Sequence, residues 1–99
     1  MAYDNRLKDS GLDKLFEAVL SLNNIEECYR FFEDICTVAE LKSMGQRLVV
    51  AKMLRDELTY GEIAEKTGAS TATISRVKRC LNFGADGYLL VLDRLKDKE

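Results

Sequence analysis

Hydroxyl and basic side chains are concentrated between residues 70 and 79 at spacings that suit one face of a helix. Small residues at the start of such a helix would let it enter a DNA major groove, where hydroxyls reach base edges and arginines reach phosphate or guanine. The residues that this chemistry would use are Ser70, Thr71, Ala72, Thr73, Ser75, Arg76, Lys78 and Arg79. The pattern predicts a surface that contacts DNA. The alternative is a helical hairpin whose charges form a solvated face.

The stretch from residue 59 to residue 82 has the layout of two short helices joined by a tight turn. Thr59 and Glu62 have capping-box spacing, in which each side chain accepts an amide of the other residue. Gly68 is expected to end the first helix, because glycine adopts the left-handed conformation without a Cβ penalty. Ser70 is a good N-cap for the second helix. This layout is typical of a helix-turn-helix DNA-binding unit.

The second of these helices is expected to run from about residue 71 to residue 81. Ile74, Val77 and Leu81 recur at i, i+3 and i+7, which is the spacing of one inward apolar stripe. The hydroxyl and arginine side chains then occupy the opposite, outward arc. The stripe therefore predicts which face packs on the protein and which remains available to a partner.

Charge is distributed unevenly along the 99 residues, whose formal net charge is −2. Residues 1–40 hold four Lys or Arg and nine Asp or Glu, a balance of −5, whereas residues 41–83 hold eight and four, a balance of +4. The basic excess coincides with the predicted DNA-binding stretch, as groove binding requires. The length predicts a single domain over residues 1–99, and the absence of proline favours an all-α chain.

The residue types present argue against several other classes of protein. Cys28, Cys36 and Cys80 form no CxxC pair, and the chain has no histidine, so neither a metal site nor an acid–base or nucleophilic catalytic set is expected. Cys28 and Cys36 are predicted to be small core residues. The odd cysteine count and the lack of a signal-like N-terminus favour a reduced, cytoplasmic protein. The apolar runs are too short to span a membrane.

Four further helices are predicted outside the helix-turn-helix stretch. Residues 1–9 are expected to form a loose N-terminal arm, after which Ser10 would cap the first helix. Asn24 with Glu27, and Thr37 with Glu40, are read as capping boxes that open the second and third helices. The third is expected to end near residue 57, and a last helix to span residues 88–96.

Two of these helices are apolar at four successive positions, which are residues 48–51 and 89–92. At about 100° per residue, four positions cover the whole helix circumference, so both helices should be buried on most sides. A homodimer would bury them against each other. A monomer whose first two helices cover both of them is the alternative.

Two blocks, LKSMGQRLVVAKML and LTYGEIAEKTGASTATISRVK, give the chain a resemblance to the Trp repressor family, and more closely to its YerC/YecD branch. The resemblance covers roughly residues 37–95. It implies six helices and an intertwined homodimer that holds two DNA-reading helices about 34 Å apart, one DNA turn. It also places Thr71, Ala72 and Thr73 near base edges, and Ser75, Tyr60 and Gly61 near phosphates.

The same resemblance implies a corepressor pocket at Thr37, Arg47 and Arg76, where related proteins hold an amino acid between two arginines. Val77 stands where ligand-binding members have glycine, and Cys80 where they have serine. A branched side chain would fill the indole space, so the chain is not expected to respond to tryptophan. The alternatives to a pocket are that Arg47 and Arg76 pair with local carboxylates, or that Arg76 faces DNA directly. No other cofactor is expected.

Taken together, these features predict a sequence-specific transcriptional regulator, acting as a repressor, that binds a palindromic operator in double-stranded DNA as a homodimer. The alternative is a protein-interaction module that uses a degenerate helix-turn-helix, which the acidic residues 1–40 would suit.

Overall fold

Six α-helices make up the regular structure of residues 5–96, the part of the chain that the computed structural model describes. They are α1 (Ser10–Leu20), α2 (Ile25–Ile35), α3 (Val38–Arg55), α4 (Tyr60–Thr67), α5 (Thr71–Phe83) and α6 (Gly87–Lys96). No strand occurs within this range, so the predicted all-α fold class is confirmed. None of the described helices is long and apolar enough to cross a membrane.

The chain divides into two compact units, of which the first ends at Leu41 and the second begins at Lys42. The division falls within α3. The first unit therefore contains α1, α2 and the start of α3, and the second contains the rest of α3 with α4, α5 and α6. One domain over residues 1–99 stays a prediction.

The start of α1 corrects the prediction that Ser10 is its N-cap. Asp9 holds that position, and its carboxylate accepts the backbone amide of Leu12 at 3.0 Å. A charged acceptor also complements the positive end of the helix dipole, which favours Asp9 over the neighbouring hydroxyl. Residues 1–4 of the predicted N-terminal arm lie outside the described residues. Within residues 5–9, Lys8 pairs with Asp13 at 2.7 Å across an exposed surface.

The start of α2 differs from the predicted capping box by one residue. Asn24 caps the helix and accepts the Glu27 amide at 2.9 Å, as expected. The Glu27 carboxylate, however, accepts the amide of Asn23 at 2.9 Å, not that of Asn24. The long glutamate side chain reaches one residue past the cap, so the reciprocal bond of a true capping box is missing.

Many large apolar side chains in the first unit are exposed, and the others among its described residues are half-buried. Leu20 is 84% exposed and Ile25 is 76% exposed, and no described residue of this unit is fully buried. Cys28 and Cys36 are half-buried free thiols, so the prediction that they are core residues is wrong for the single chain. Two short helices have too little surface to enclose their own apolar stripes.

The predicted capping box at the start of α3 is confirmed. The Thr37 hydroxyl accepts the Glu40 amide at 3.1 Å, and the Glu40 carboxylate accepts the Thr37 amide at 2.8 Å. The Thr37 backbone amide, with a smaller contribution from its side chain, holds the pKa of Glu40 below its ordinary value. The helix ends at Arg55, slightly before the predicted residue 57, because Glu57 adopts a left-handed φ of 66°.

The core of the second unit is formed where α3, α4, α5 and α6 each contribute buried apolar side chains. The buried residues are Val50, Ala51, Ile63, Ala69, Ile74, Val77 and Leu92. Arg55 of α3 also forms an ion pair with Asp93 of α6. These contacts position α4 and α5 on the rest of the unit.

Only one face of α3 and α6 is covered by this core. Val50 and Ala51 are fully buried, but the adjacent Val49 is 47% exposed. In α6, Leu92 is 5% exposed whereas Leu90 is 51% exposed. The core of the second unit therefore does not bury these helices on most sides.

Candidate nucleic-acid interface

The segment that carries the predicted DNA contacts consists of α4, a three-residue turn and α5, and it begins with a capping box. The Thr59 hydroxyl accepts the Glu62 amide at 3.2 Å, and the Glu62 carboxylate accepts the Thr59 amide at 2.9 Å. This confirms the predicted capping box. The Thr59 amide, followed by the Thr59 hydroxyl, holds the pKa of Glu62 below its ordinary value. The start of α4 is thus defined by two hydrogen bonds.

Local hydrogen bonds to the last residues of α4 hold the turn between α4 and α5. Gly68 has a left-handed φ of 75° and its amide donates to the Ala64 carbonyl at 2.8 Å, so the predicted C-terminal glycine is confirmed. The Thr67 hydroxyl donates to the Ile63 carbonyl at 2.7 Å and accepts the Ala69 amide at 3.1 Å. These local bonds fix the direction in which the chain leaves α4.

Gln46 of α3 adds a contact that the sequence reading missed. Its side-chain amide donates to the Thr67 carbonyl at 3.1 Å, in a partly buried position. The two residues lie 21 positions apart, and nothing in the local pattern marks Gln46 as a turn-binding residue. The contact ties the turn of the α4–α5 segment to the long helix of the second unit.

Ser70 begins α5 as predicted. Its hydroxyl oxygen accepts the Thr73 amide at 3.1 Å, and the Ser70 hydroxyl donates to Thr73 Oγ1 at 3.1 Å. Ile74 and Val77 are 0% and 1% exposed and Leu81 is half-buried, so the inward stripe is confirmed. The helix continues to Phe83, two residues beyond the predicted end.

The outward face of α5 carries most of the predicted DNA-contacting side chains. Thr71, Ala72, Ser75, Arg76, Lys78 and Arg79 are exposed, together with Ser70 and, on α4, Gly61. Thr73 and Tyr60 are half-buried. The structure therefore brings hydroxyl, methyl and guanidinium groups to one side of α5, with Thr73 at its edge.

The basic groups of this face differ in how they are held. Within the described part of the chain, Arg76 and Arg79 form no ion pair or hydrogen bond. The Lys78 Nζ lies 5.6 Å from the centroid of the Tyr60 ring, which is a cation–π contact. No acidic side chain of residues 5–96 pairs with the two guanidinium groups, which leaves both available to an anion.

The residues of the predicted corepressor pocket occupy different environments. Thr37 caps α3 in the first unit, whereas the others belong to the second unit. Arg47 is half-buried, and its Nε donates to the Ser43 carbonyl at 3.3 Å. Arg76 and Cys80 are exposed one turn apart on α5, while Val77 is buried in the core on another side of that helix. The pocket stays a prediction.

An apolar groove between α3 and α6 is lined by Leu48, Val49, Lys52, Met53, Leu92 and Leu95. It contains none of the predicted corepressor residues. Across residues 5–96, no group of three or more His, Cys, Asp or Glu side chains is placed to hold a metal ion.

Comparison with known proteins assigns the chain to a family. Residues 10–96 match the family model described as Trp repressor protein. The chain is 58% identical over 95 residues to the uncharacterized protein YerC of Bacillus subtilis, covering 96% of this chain and 91% of that protein. It is 34% identical over 74 residues to a Trp operon repressor homolog of Chlamydia caviae, covering 74% of this chain and 73% of that protein.

Solved structures show the same relationship. A TrpR-like protein from Eubacterium eligens is 58% identical, with a TM-score of 0.89 over 94% of this chain and 96% of that one. A candidate Trp repressor from Staphylococcus aureus is 52% identical, with a TM-score of 0.89 over 97% of this chain and 96% of that one. The predicted six-helix fold and the predicted resemblance are both confirmed, and the chain belongs to the Trp repressor family.

Proposed function

We propose that this protein is a sequence-specific DNA-binding transcriptional regulator whose α4–α5 segment acts as a helix-turn-helix. The observation that carries the proposal is the outward face of α5, where Arg76 and Arg79 are exposed and form no ion pair within the described residues. Thr71, Ala72 and Ser75 on the same face are small enough for close approach to base edges. Membership of the Trp repressor family supports the same reading.

The basic face is not enough for tight binding by one copy, so we propose that the regulator acts as a homodimer. Leu90, Val91 and Leu95 of α6 are 51%, 43% and 44% exposed. Leaving a large apolar side chain in water forfeits roughly 1.5–3 kcal/mol, which makes a second copy the economical cover. Two α5 helices held about 34 Å apart would enter successive major grooves of a palindromic operator.

Binding of this kind would repress transcription by occluding a promoter, in the bacterial cytoplasm. A response to tryptophan is not part of the proposal, because the branched Val77 belongs to the buried core and Cys80 is a weak hydrogen-bond partner. The Chlamydia caviae relative is named a Trp operon repressor homolog, and this name supports a regulatory role for the chain. It does not support a response of this chain to tryptophan.

Selection of bound sequences from a random duplex library tests the proposal. The purified protein is incubated with the library at low and high salt, with and without added amino acids and nucleotides. A regulator of this class enriches a two-fold symmetric sequence that survives the higher salt. If no sequence is enriched and binding is absent at low salt, the face of α5 is misassigned and the chain is better described as a protein-interaction module. Enrichment only with added tryptophan would overturn the ligand part of the proposal.

A further inference from the structure

Lys78 differs from the other basic residues of α5 because an aromatic ring holds its ammonium group. The Lys78 Nζ lies 5.6 Å from the Tyr60 ring centroid, inside the limit of about 6 Å for a cation–π attraction. Arg76 and Arg79 have no such contact among the described residues. A cation–π contact does not occupy the N–H donors of the Lys78 ammonium with a directional hydrogen bond. The ammonium therefore keeps its donors for an anion.

The Tyr60 ring is itself well fixed. Tyr60 is half-buried, packs against the core of the second unit, and is the first residue of α4, directly after the Thr59 cap. A ring packed against the core has fewer accessible orientations than the side chain of a surface lysine. The contact therefore restricts Lys78, and it links the first residue of α4 to the middle of α5.

Restriction of a lysine matters because a free lysine loses much of its rotamer freedom when it binds a ligand. A side chain already held close to its bound position loses less, which increases affinity without any additional contact. Lys78 also lies on the flank of α5 that faces α4, beside the inward stripe. The outward arc of α5 would face the bases, whereas a side chain on the flank would lie at the edge of the groove. Lys78 is therefore better placed to contact the DNA backbone than the bases.

We propose that Tyr60 is a positioning residue that presents the Lys78 ammonium to one backbone phosphate of double-stranded DNA. The inference rests on the proposed DNA-binding function and specifies how one contact of that site is organised. Since a phosphate contact is independent of sequence, loss of either residue weakens binding to all duplexes alike and leaves the preferred operator unchanged.

A double-mutant cycle tests the proposal. Affinity for a labelled duplex is measured over a KCl series for the wild type, Lys78→Gln, Tyr60→Leu and the double variant. Lys78→Gln should lower the log–log salt slope by about 0.9, the value for one phosphate. Tyr60→Leu should weaken binding roughly two- to ten-fold, because a free Lys78 side chain must then be ordered when the phosphate binds. In the Lys78→Gln background, the Tyr60→Leu substitution should have no further effect.

Conservative variants separate positioning from other roles. Tyr60→Phe and Lys78→Arg keep a ring and a cation, so both should bind as the wild type does. If Tyr60→Phe is as weak as Tyr60→Leu, the phenol hydroxyl contacts DNA directly and the positioning role is wrong. Should Tyr60→Leu fail to fold by circular dichroism, Tyr60→Met replaces it, because a flexible apolar side chain can pack without supplying a ring.

A matched control uses Arg79, whose guanidinium forms no cation–π contact with Tyr60 among the described residues. The Tyr60→Leu and Arg79→Gln effects should add, in contrast to the non-additive pair. If the Tyr60→Leu penalty is the same in the wild-type and Lys78→Gln backgrounds, the positioning role is overturned while DNA binding stands. If the wild type binds no duplex at all, both proposals fail.

The free protein offers a further readout that does not depend on DNA. The ε-methylene protons of Lys78 should be shifted upfield in the NMR spectrum by the Tyr60 ring, and the shift should vanish in Tyr60→Leu. An unshifted Lys78 in the wild type would show that the ring does not hold the ammonium in solution and would overturn the proposal.

Discussion

Replacement of Arg79 by alanine should weaken DNA binding while leaving the fold intact. The side chain is exposed and forms no ion pair or hydrogen bond with the described residues. A surface substitution of this kind changes the free energy of unfolding by no more than about 0.5 kcal/mol. If the guanidinium neutralises one phosphate, its loss lowers the log–log salt slope by about 0.9. Over a four-fold rise in salt, from about 50 to about 200 mM, that slope amounts to a factor of about 3.5 in affinity.

Fluorescence anisotropy with a labelled operator duplex measures this slope directly. The wild type and Arg79→Ala are titrated at several KCl concentrations, and chemical denaturation verifies that their stabilities match. Lys14→Ala is the matched control, because it removes the same charge from an exposed position on α1, outside the α4–α5 segment. Its slope should equal that of the wild type.

Two results would refute the reasoning about Arg79. An unchanged slope would mean that Arg79 does not meet a phosphate and that the DNA-binding face of α5 is misassigned. An equal fall for Lys14→Ala would mean that the protein binds DNA through its overall charge and not through this face. A lowered slope for Arg79→Ala alone supports the assignment.

Four other substitutions test the remaining parts of the structure. Thr73→Ala should relax the preference at one operator position by about 1–3 kcal/mol without changing the salt slope, as measured by competition with single-base variants. Glu62→Gln should flatten the acid side of a curve of unfolding free energy against pH. Because the pKa of Glu62 is lowered in the fold, its carboxylate stabilises the protein above the ordinary glutamate pKa of about 4.3. This contribution is lost in the wild type as the pH falls through the folded-state pKa. Ile74→Ala, at a fully buried position, should cost about 2–5 kcal/mol by urea unfolding with an unchanged m-value. Leu95→Asp should convert the proposed dimer to a monomer in sedimentation velocity, whereas a variant with the same mass as a dimeric wild type would argue against α6 as a dimer surface.

Signals that span only three or four residues were readable from the sequence. The capping boxes at Thr37 and Thr59, the cap at Ser70 and the left-handed turn at Gly68 are all present where their spacing placed them. Each depends on bonds between neighbours in the chain, so the local sequence contains both partners. The start of α1 shows the limit of such reasoning. Asp9 and Ser10 are adjacent and either type of side chain can cap a helix, but Asp9 is the residue that caps α1.

Burial was less predictable, because it depends on how many elements surround a side chain. Four apolar residues in succession indicated all-round burial of α3, yet Val49 is nearly half exposed beside the fully buried Val50. Cys28 and Cys36 are half-buried for the same reason: their unit has too few elements to cover them. The pattern identifies side chains that avoid water, and only the packed structure identifies which of them one chain can cover.

The outward face of α5 was determined by the sequence alone, since a period of about 3.6 residues separates Arg76 and Arg79 from the inward stripe. The tertiary structure decided how the segment that carries this face is held. It ties the turn to α3 through Gln46, and it brings the Tyr60 ring to the Lys78 ammonium. These contacts join residues that are far apart in the chain, so no local period encodes them and only the packing of the helices brings them together.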